Sequence, residues 1–271
     1  MGAARIGRFV YVVGGFERHS GATTAAVARY DLERDRWKRL RPLPAALDHT
    51  QAVAHAGDLY VFGGFGASGA SRALYRYRPG RDRWRRLPNA PTARGAHALG
   101  VIGDRLYAAG GARGGQVLDT LEIYDIGRNR WSRGPRMSLA REHLGGAVAG
   151  GRFYALAGRA SGQGNFAVAE RYDPRRRRWE QLPAMRKPRG GIAAATVGRR
   201  VVVFGGEESG GTIREVELYE PSTRRWRSLP PMRTPRHGLG WVARGNRIYA
   251  IEGGREPGFH FSDTIEFLDV P

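Results

Sequence analysis

Apolar residues in this chain come in short runs that end in two small residues: VYVVGG, YVFGG, YAAGG, YALAG and VVVFGG. Runs this short, closed by glycine, read as β-strands rather than helices. Glycine fits the end of such a run because it has no Cβ where the backbone must turn or pack closely. A loop rich in Gly and Ser follows each run. Then comes a second strand ending at an aromatic residue, a polar turn such as DLERDRW or RPGRDRW, and a tryptophan. The polar turns predict hairpins joining two strands. About four short strands fit between one glycine pair and the next.

The pattern repeats at a fixed interval. Tryptophans stand at Trp37, Trp84, Trp131, Trp179 and Trp226, spaced 47, 47, 48 and 47 residues apart. Tyr30, Tyr77, Tyr124, Tyr172 and Tyr219 each precede one by seven residues. The small pairs are Gly14-Gly15, Gly63-Gly64, Gly110-Gly111, Ala157-Gly158 and Gly205-Gly206. A sixth pair, Gly253-Gly254, leads to Phe267 in the tyrosine position. All-β units of this size are the blades of a β-propeller. They divide one domain, residues 1–271, into units of about 1–44, 45–91, 92–138, 139–186, 187–233 and 234–271.

A double glycine, a tyrosine and a tryptophan seven residues later resemble the kelch repeat, over essentially the whole chain. The resemblance implies an all-β, six-bladed propeller. The sixth unit stops after its third strand. The few residues before GRFVYVVGG supply one strand, either the inner strand of the first blade or the outer strand of the last. A three-stranded last blade with an open edge is therefore expected. Kelch propellers serve as protein-binding modules, sugar-acid isomerases, oxidases and structural proteins, so the resemblance speaks to fold more than to function.

Composition narrows the chemistry. Lys and Arg total 45 against 25 Asp and Glu, a net charge of +20, and only Lys38 and Lys187 are lysines. Such charge reads either as arginines on solvated turns or as a surface for anions. With no cysteine, disulfides, thiolate metal sites and cysteine nucleophiles are excluded. No secretory leader and no apolar run long enough to span a bilayer is visible, which predicts a cytoplasmic protein without membrane contact.

Ten residues after a tryptophan stand Arg94, Arg141, Arg189 and Arg236, with Asp48 taking that place, one residue late, in the first interval. In kelch propellers such inter-blade segments open at the mouth of the central channel. Arginines in this part of the repeat bind acidic peptides in kelch adaptor proteins. The resemblance thus implies a convergent site for carboxylate or phosphate. The other reading of these arginines is structural, pairing with a neighbouring blade. Beside them stand His49, Glu142, His143 and His237. The histidines lack metal-ligand spacing, so no metal and no cofactor is expected. His97 reads as a satisfied core residue.

The loops after the glycine pairs add Arg18, His19, Arg113, Asn165, Arg255 and His260 as polar candidates. GGEESGGTIRE is similar to a segment of bacterial sialic-acid mutarotases, which implies Glu207 and Arg214 as acid–base and carboxylate-holding residues. No loop has a phosphate-binding glycine motif, and no element for sequence-specific nucleic-acid reading is present. The leading expectation is a binding module for an acidic peptide, protein or small anion at an arginine-lined mouth. The alternative is a small-molecule isomerase or cyclase in the same pocket. The chain is expected as a monomer, or as a dimer paired through the open edge of the last blade.

Overall fold

The computed structural model describes residues 1–258 and 260–271. Phe259, in the last of the loops above, lies outside the described residues. Six antiparallel sheets stand in a ring. Their innermost strands are Gly2–Ile6, Gln51–His55, Ala98–Ile102, Gly145–Ala149, Ala193–Val197 and Gly240–Arg244. Each packs against the next, and Gly240–Arg244 meets Gly2–Ile6 to close the circle. Blades 1–5 have four strands and blade 6 has three, ending at Ile265–Asp269. The opening residues thus form the inner strand of blade 1. Among the described residues, no fourth strand pairs with Ile265–Asp269. No helix among the described residues is long and apolar enough to cross a membrane.

The repeated aromatics have separate tasks. Each tyrosine sits on a third strand and pairs across to the tryptophan of the fourth. The Tyr–Trp ring centroids lie 4.8–5.4 Å apart in all five pairs. Three tyrosine hydroxyls donate to the side chain five residues on: Tyr30 to Asp35, Tyr77 to Asp82 and Tyr124 to Asn129. Those acceptors have left-handed backbones, at φ 50°, 43° and 54°, a conformation Asp and Asn tolerate better than most. Each hydroxyl thereby fastens its hairpin turn. The indole N–H then reaches the previous blade. Trp84, Trp131, Trp179 and Trp226 donate to the carbonyls of Arg41, Pro88, Pro135 and Pro183, at 2.8–3.0 Å.

In blade 6 the repeat shifts by one residue. The pair His237–Gly254 bridges as Gly190–Glu207 does in blade 5. The sixth small pair is therefore Glu252-Gly253 rather than Gly253-Gly254, and Glu252 holds the left-handed backbone, φ 55°. The tyrosine position belongs to Leu268, not Phe267, because Leu268 pairs with Ile248 as Tyr219 pairs with Val201. Spacing in an incomplete unit has no tryptophan to fix its phase.

The four in-phase arginines are inside the protein. Arg94, Arg141, Arg189 and Arg236 have no exposed surface. Each is a link between two blades. Their carbonyls accept from the second residue of the preceding blade's small pair: Gly64, Gly111, Gly158 and Gly206. Their guanidinium groups reach into the following blade. There they meet Glu122, Glu170, Glu217 and Glu266 at 2.6–3.0 Å, besides backbone carbonyls such as Ala157 O and Thr264 O. Gly64 could carry no side chain, since a Cβ there would lie 2.5 Å from the carbonyl oxygen of Asp48.

Blade 2 shows what else can fill this slot. The carbonyl of Leu47 accepts from Gly15, so Leu47, ten residues after Trp37, holds the arginine position. Asp48 is in register with Gly95, Glu142, Gly190 and His237. The glutamate position of blade 2 is Tyr75, and Leu47 and Tyr75 lie in one apolar cluster. The chain thus contains both an ion pair and its apolar substitute. Removing one member of a buried pair strands a charge, at a cost of about 3–5 kcal/mol, whereas replacing both is often near neutral. Arg141→Ala should therefore lower unfolding stability by about that amount, and Arg141→Leu/Glu170→Tyr should recover most of the loss. Urea denaturation of the three proteins reads the difference directly.

Candidate functional site

The channel itself is lined by small and apolar residues, among them Ala52, Gly100, Gly146, Ala194 and Gly240. One of its mouths is different. There the segments between blades meet the loops after the small pairs around a cavity of about 500 Å³. Bridges such as Asp48–Phe65, Glu142–Arg159, Gly190–Glu207 and His237–Gly254 tie the two segments together at each blade. Side chains at these positions are consequently held by backbone on two sides.

A chain of polar contacts crosses the mouth. The Asp48 carboxylate meets His49 Nδ1 at 2.6 Å and also accepts from the Thr23 hydroxyl. The His49 ring stands edge-on to His143, with centroids 4.8 Å apart. His143 Nδ1 meets Glu142 at 2.6 Å. Arg159 joins Glu142 at 3.2 Å to Glu207 at 2.7 Å. Glu207 then faces His237 at 3.4 Å and accepts from the Gly258 N–H at 3.1 Å. Asn165 donates to the backbone carbonyl of Glu207 at 2.6 Å. Phe16 and Phe65 flank His49 at 5.7 and 5.6 Å, and Phe261 lies 6.2 Å from Phe16.

These contacts set the charges. Burial pushes the Glu207 carboxyl up, but His237, the Gly258 N–H and Arg159 together hold it below its ordinary value. The same competition leaves Glu142 lowered, with His143 and Arg159 outweighing burial. Burial lowers His143 and His237, against their neighbouring carboxylates. At neutral pH Glu142 and Glu207 are therefore ionised, and His143 and His237 neutral. Glu252, which also lines the cavity, is the exception: burial raises its pKa. Among the described residues, no cluster of three or more His, Asp or Glu could hold a metal ion.

Nine of the sequence candidates come together here: Asp48, His49, Glu142, His143, Asn165, Glu207 and His237 in the network of contacts, and Arg18 and His260 on the cavity wall, whereas His19 is exposed outside it. Arg94, Arg141, Arg189 and Arg236 do not, because their guanidinium groups are consumed between blades. The mouth is therefore not an arginine funnel. Arg113 and Arg255 are exposed on loops outside the cavity lining. Arg214 is exposed as well, and Glu207 pairs with Arg159 and His237 in its place, so the Glu207–Arg214 pairing expected from the mutarotase segment is not formed. Arg159, Phe16, Phe65 and Phe261 were not singled out by sequence. Arg159, Phe16, Phe65 and Glu207 all stand directly after a small pair, and that column would have shown them.

Positive charge resides on the rim instead. Arg36, Arg39, Arg83, Arg85, Arg130, Arg178, Arg225 and Arg227 are exposed on fourth strands. Blade 2 concentrates it. Arg76 and Arg78 pair across to Arg85 and Arg83, and Arg78 replaces the acid found at Asp31, Asp125, Asp173, Glu220 and Asp269.

Sequence comparison agrees with this geometry. A family model described as the KLHDC2/KLHL20/DRC7 Kelch-repeats domain matches residues 1–188, and the Kelch motif matches residues 188–233. The chain belongs to the kelch-repeat family. No curated protein matches it. Kelch domains generally bind proteins, and the mouth of this kelch propeller is where loops of successive blades converge.

One buried histidine of the propeller titrates without partners. His97 has no exposure, and neither ring nitrogen has a hydrogen bond among the described residues. It is a core residue but not a satisfied one. Its ring stands edge-on to Phe62 at 5.0 Å. Burial, then the charge of Arg94, pushes its pKa well below the ordinary value. The unfolded chain therefore binds a proton that the folded chain refuses, and stability falls as pH drops below about 6.5. Leu144 and Leu239 occupy the same slot in other blades. His97→Leu should raise stability at pH 7 and remove part of the acid-side loss, as read by thermal unfolding from pH 7 to pH 5.

Proposed function

We propose that this kelch propeller is a protein-binding module that takes a loop or extended peptide of its partner into the channel mouth. The observation that carries the reading is the convergence of Phe16, His49, His143, Arg159, His237 and Phe261 on one cavity. Aromatic and arginine side chains held rigidly at the centre of a face are the usual anchors of a protein interface. Blade 3 contributes only Gly95, Ala96 and Ala112 at the matching positions, which leaves the wall of small residues lowest on that side.

The partner's acidity is read at long range. A net charge of +20 steers acidic surfaces toward the disc and raises association rates, an effect that salt screens. The contacts themselves are mixed, with Arg159 and Arg18 cations of the mouth for a carboxylate and Glu207 and Glu142 its acceptors for donors. An isomerase reading would need a proton-transferring pair. Glu207 is held ionised by His237, the Gly258 N–H and Arg159, and Glu252 is the carboxylate of the mouth whose pKa is raised, so binding is the reading favoured.

Peptides selected from a random display library on the folded protein test this directly. Their affinity should drop at least about tenfold in Phe16→Ala/His143→Ala. Raising salt should slow association more than it speeds dissociation. Unchanged affinity in the double variant would overturn the mouth as the binding site.

A further inference from the structure

Blade 2 breaks a charge pattern that its neighbours keep. In blades 3, 4 and 6, an arginine of the second strand pairs with an acid of the third: Arg105 with Asp125 at 3.4 Å, Arg152 with Asp173 at 3.0 Å and Arg247 with Asp269 at 2.7 Å. Blade 2 exchanges the two, with Asp58 on the second strand and Arg78 on the third, 3.6 Å apart. The exchange conserves charge but moves the acid one strand away from the rim. On the fourth strand, Arg83 stands opposite Arg78, whereas in blade 3 Arg130 stands opposite Asp125. The neighbouring cross-strand pair on the same face is Arg76 with Arg85. Blade 4 has an ion pair at that place, Arg171 with Glu180 at 2.6 Å.

Four guanidinium groups of blade 2 thus share one face of the sheet. Like charges set opposite one another weaken a sheet, so sheet stability does not account for the arrangement. Compensation is partial. Asp58 faces Nε of both Arg76 and Arg78, each at 3.6 Å. Nε of Arg76 is buried and has no hydrogen-bond acceptor among the described residues. Among those residues, Arg81, Arg83 and Arg85 make no ion pair. The five arginines line a notch of about 360 Å³. Arg76 and Arg85 also wall a second cavity of about 240 Å³, which lies between blades 2 and 3 beside Tyr60 and Tyr124.

We propose that this notch is an anion site for a polyphosphate group, two or more phosphoryl groups joined in one compact ligand. Guanidinium forks hold phosphate oxygens in pairs. Four forks on two neighbouring cross-strand pairs offer more donors than one phosphoryl group can occupy, and their mutual repulsion needs more than one negative charge to relieve it. A lone carboxylate brings one charge and two oxygens. The second cavity leaves room for the body of the ligand. Single-stranded nucleic acid fits less well, because it needs exposed aromatic faces for its bases and the tyrosines beside the notch are buried.

Inorganic tripolyphosphate is the probe, titrated calorimetrically into the intact protein at about 0.15 M ionic strength. Saturable binding at one site is expected. The decisive variant is Asp58→Arg/Arg78→Asp, which restores the order of blades 3, 4 and 6 and leaves the net charge unchanged. Its affinity should fall at least about tenfold, while urea unfolding shows the fold intact. Removing two rim arginines elsewhere, Arg225→Ser/Arg227→Ser, should leave binding as it was. So should Phe16→Ala/His143→Ala, which separates this site from the mouth. A soluble inositol bisphosphate, compared with vesicles bearing the same headgroup, tells a free ligand from a membrane surface, and the exchanged variant should lose binding in whichever arm binds. No saturable binding of tripolyphosphate, or equal affinity in the exchanged variant, would overturn the proposal.

Discussion

Blades of a propeller share no strand-to-strand hydrogen bonds, so the ring depends on what fastens one sheet to the next. In this protein the fastening is a residue that belongs to two blades at once. The backbone of Arg141 is bonded to the glycine pair of blade 3, and its guanidinium to Glu170 and the carbonyls of blade 4. The tryptophan indole makes a second link nearer the rim. Both links are fixed by the repeat interval, because each joins a residue to the next unit's equivalent.

That division of labour explains why the mouth can vary. The residue after each linking arginine is already held by a backbone bridge to the next loop. Its side chain is therefore free of structural duty and can be Asp48, Gly95, Glu142, Gly190 or His237. The same holds for the position after each small pair, from Phe16 round to Glu207. Two constrained columns support two free ones. The free columns meet at one cavity, and the chemistry of the mouth is the sum of what each blade happens to place there.

The charge of the protein follows the same geometry. Fourth strands lie farthest from the axis with most of their polar residues in solvent, and there arginine costs little to keep ionised. The buried arginines are a separate population. Their charge is compensated by a glutamate and by carbonyl dipoles, as burial requires. Net charge alone does not distinguish the two, and only the rim population acts on a partner at a distance.

Much of this was legible in the sequence. The interval between tryptophans, the small pairs and the apolar runs determined a six-bladed all-β ring with an incomplete last blade, because those features are local and repeat with the chain. They also marked Asp48, His49, Glu142, His143 and His237, since these deviate within an otherwise regular segment. What sequence could not decide was direction. A strand-flanking arginine at a fixed interval can point to the channel or between the sheets, and Arg94, Arg141, Arg189 and Arg236 turn inward because Glu122, Glu170, Glu217 and Glu266 await them in the next blade. Arg159 reached the site for the opposite reason: its partners Glu142 and Glu207 lie 17 and 48 residues away. Pairings between residues so far apart exist only once neighbouring blades have packed against each other.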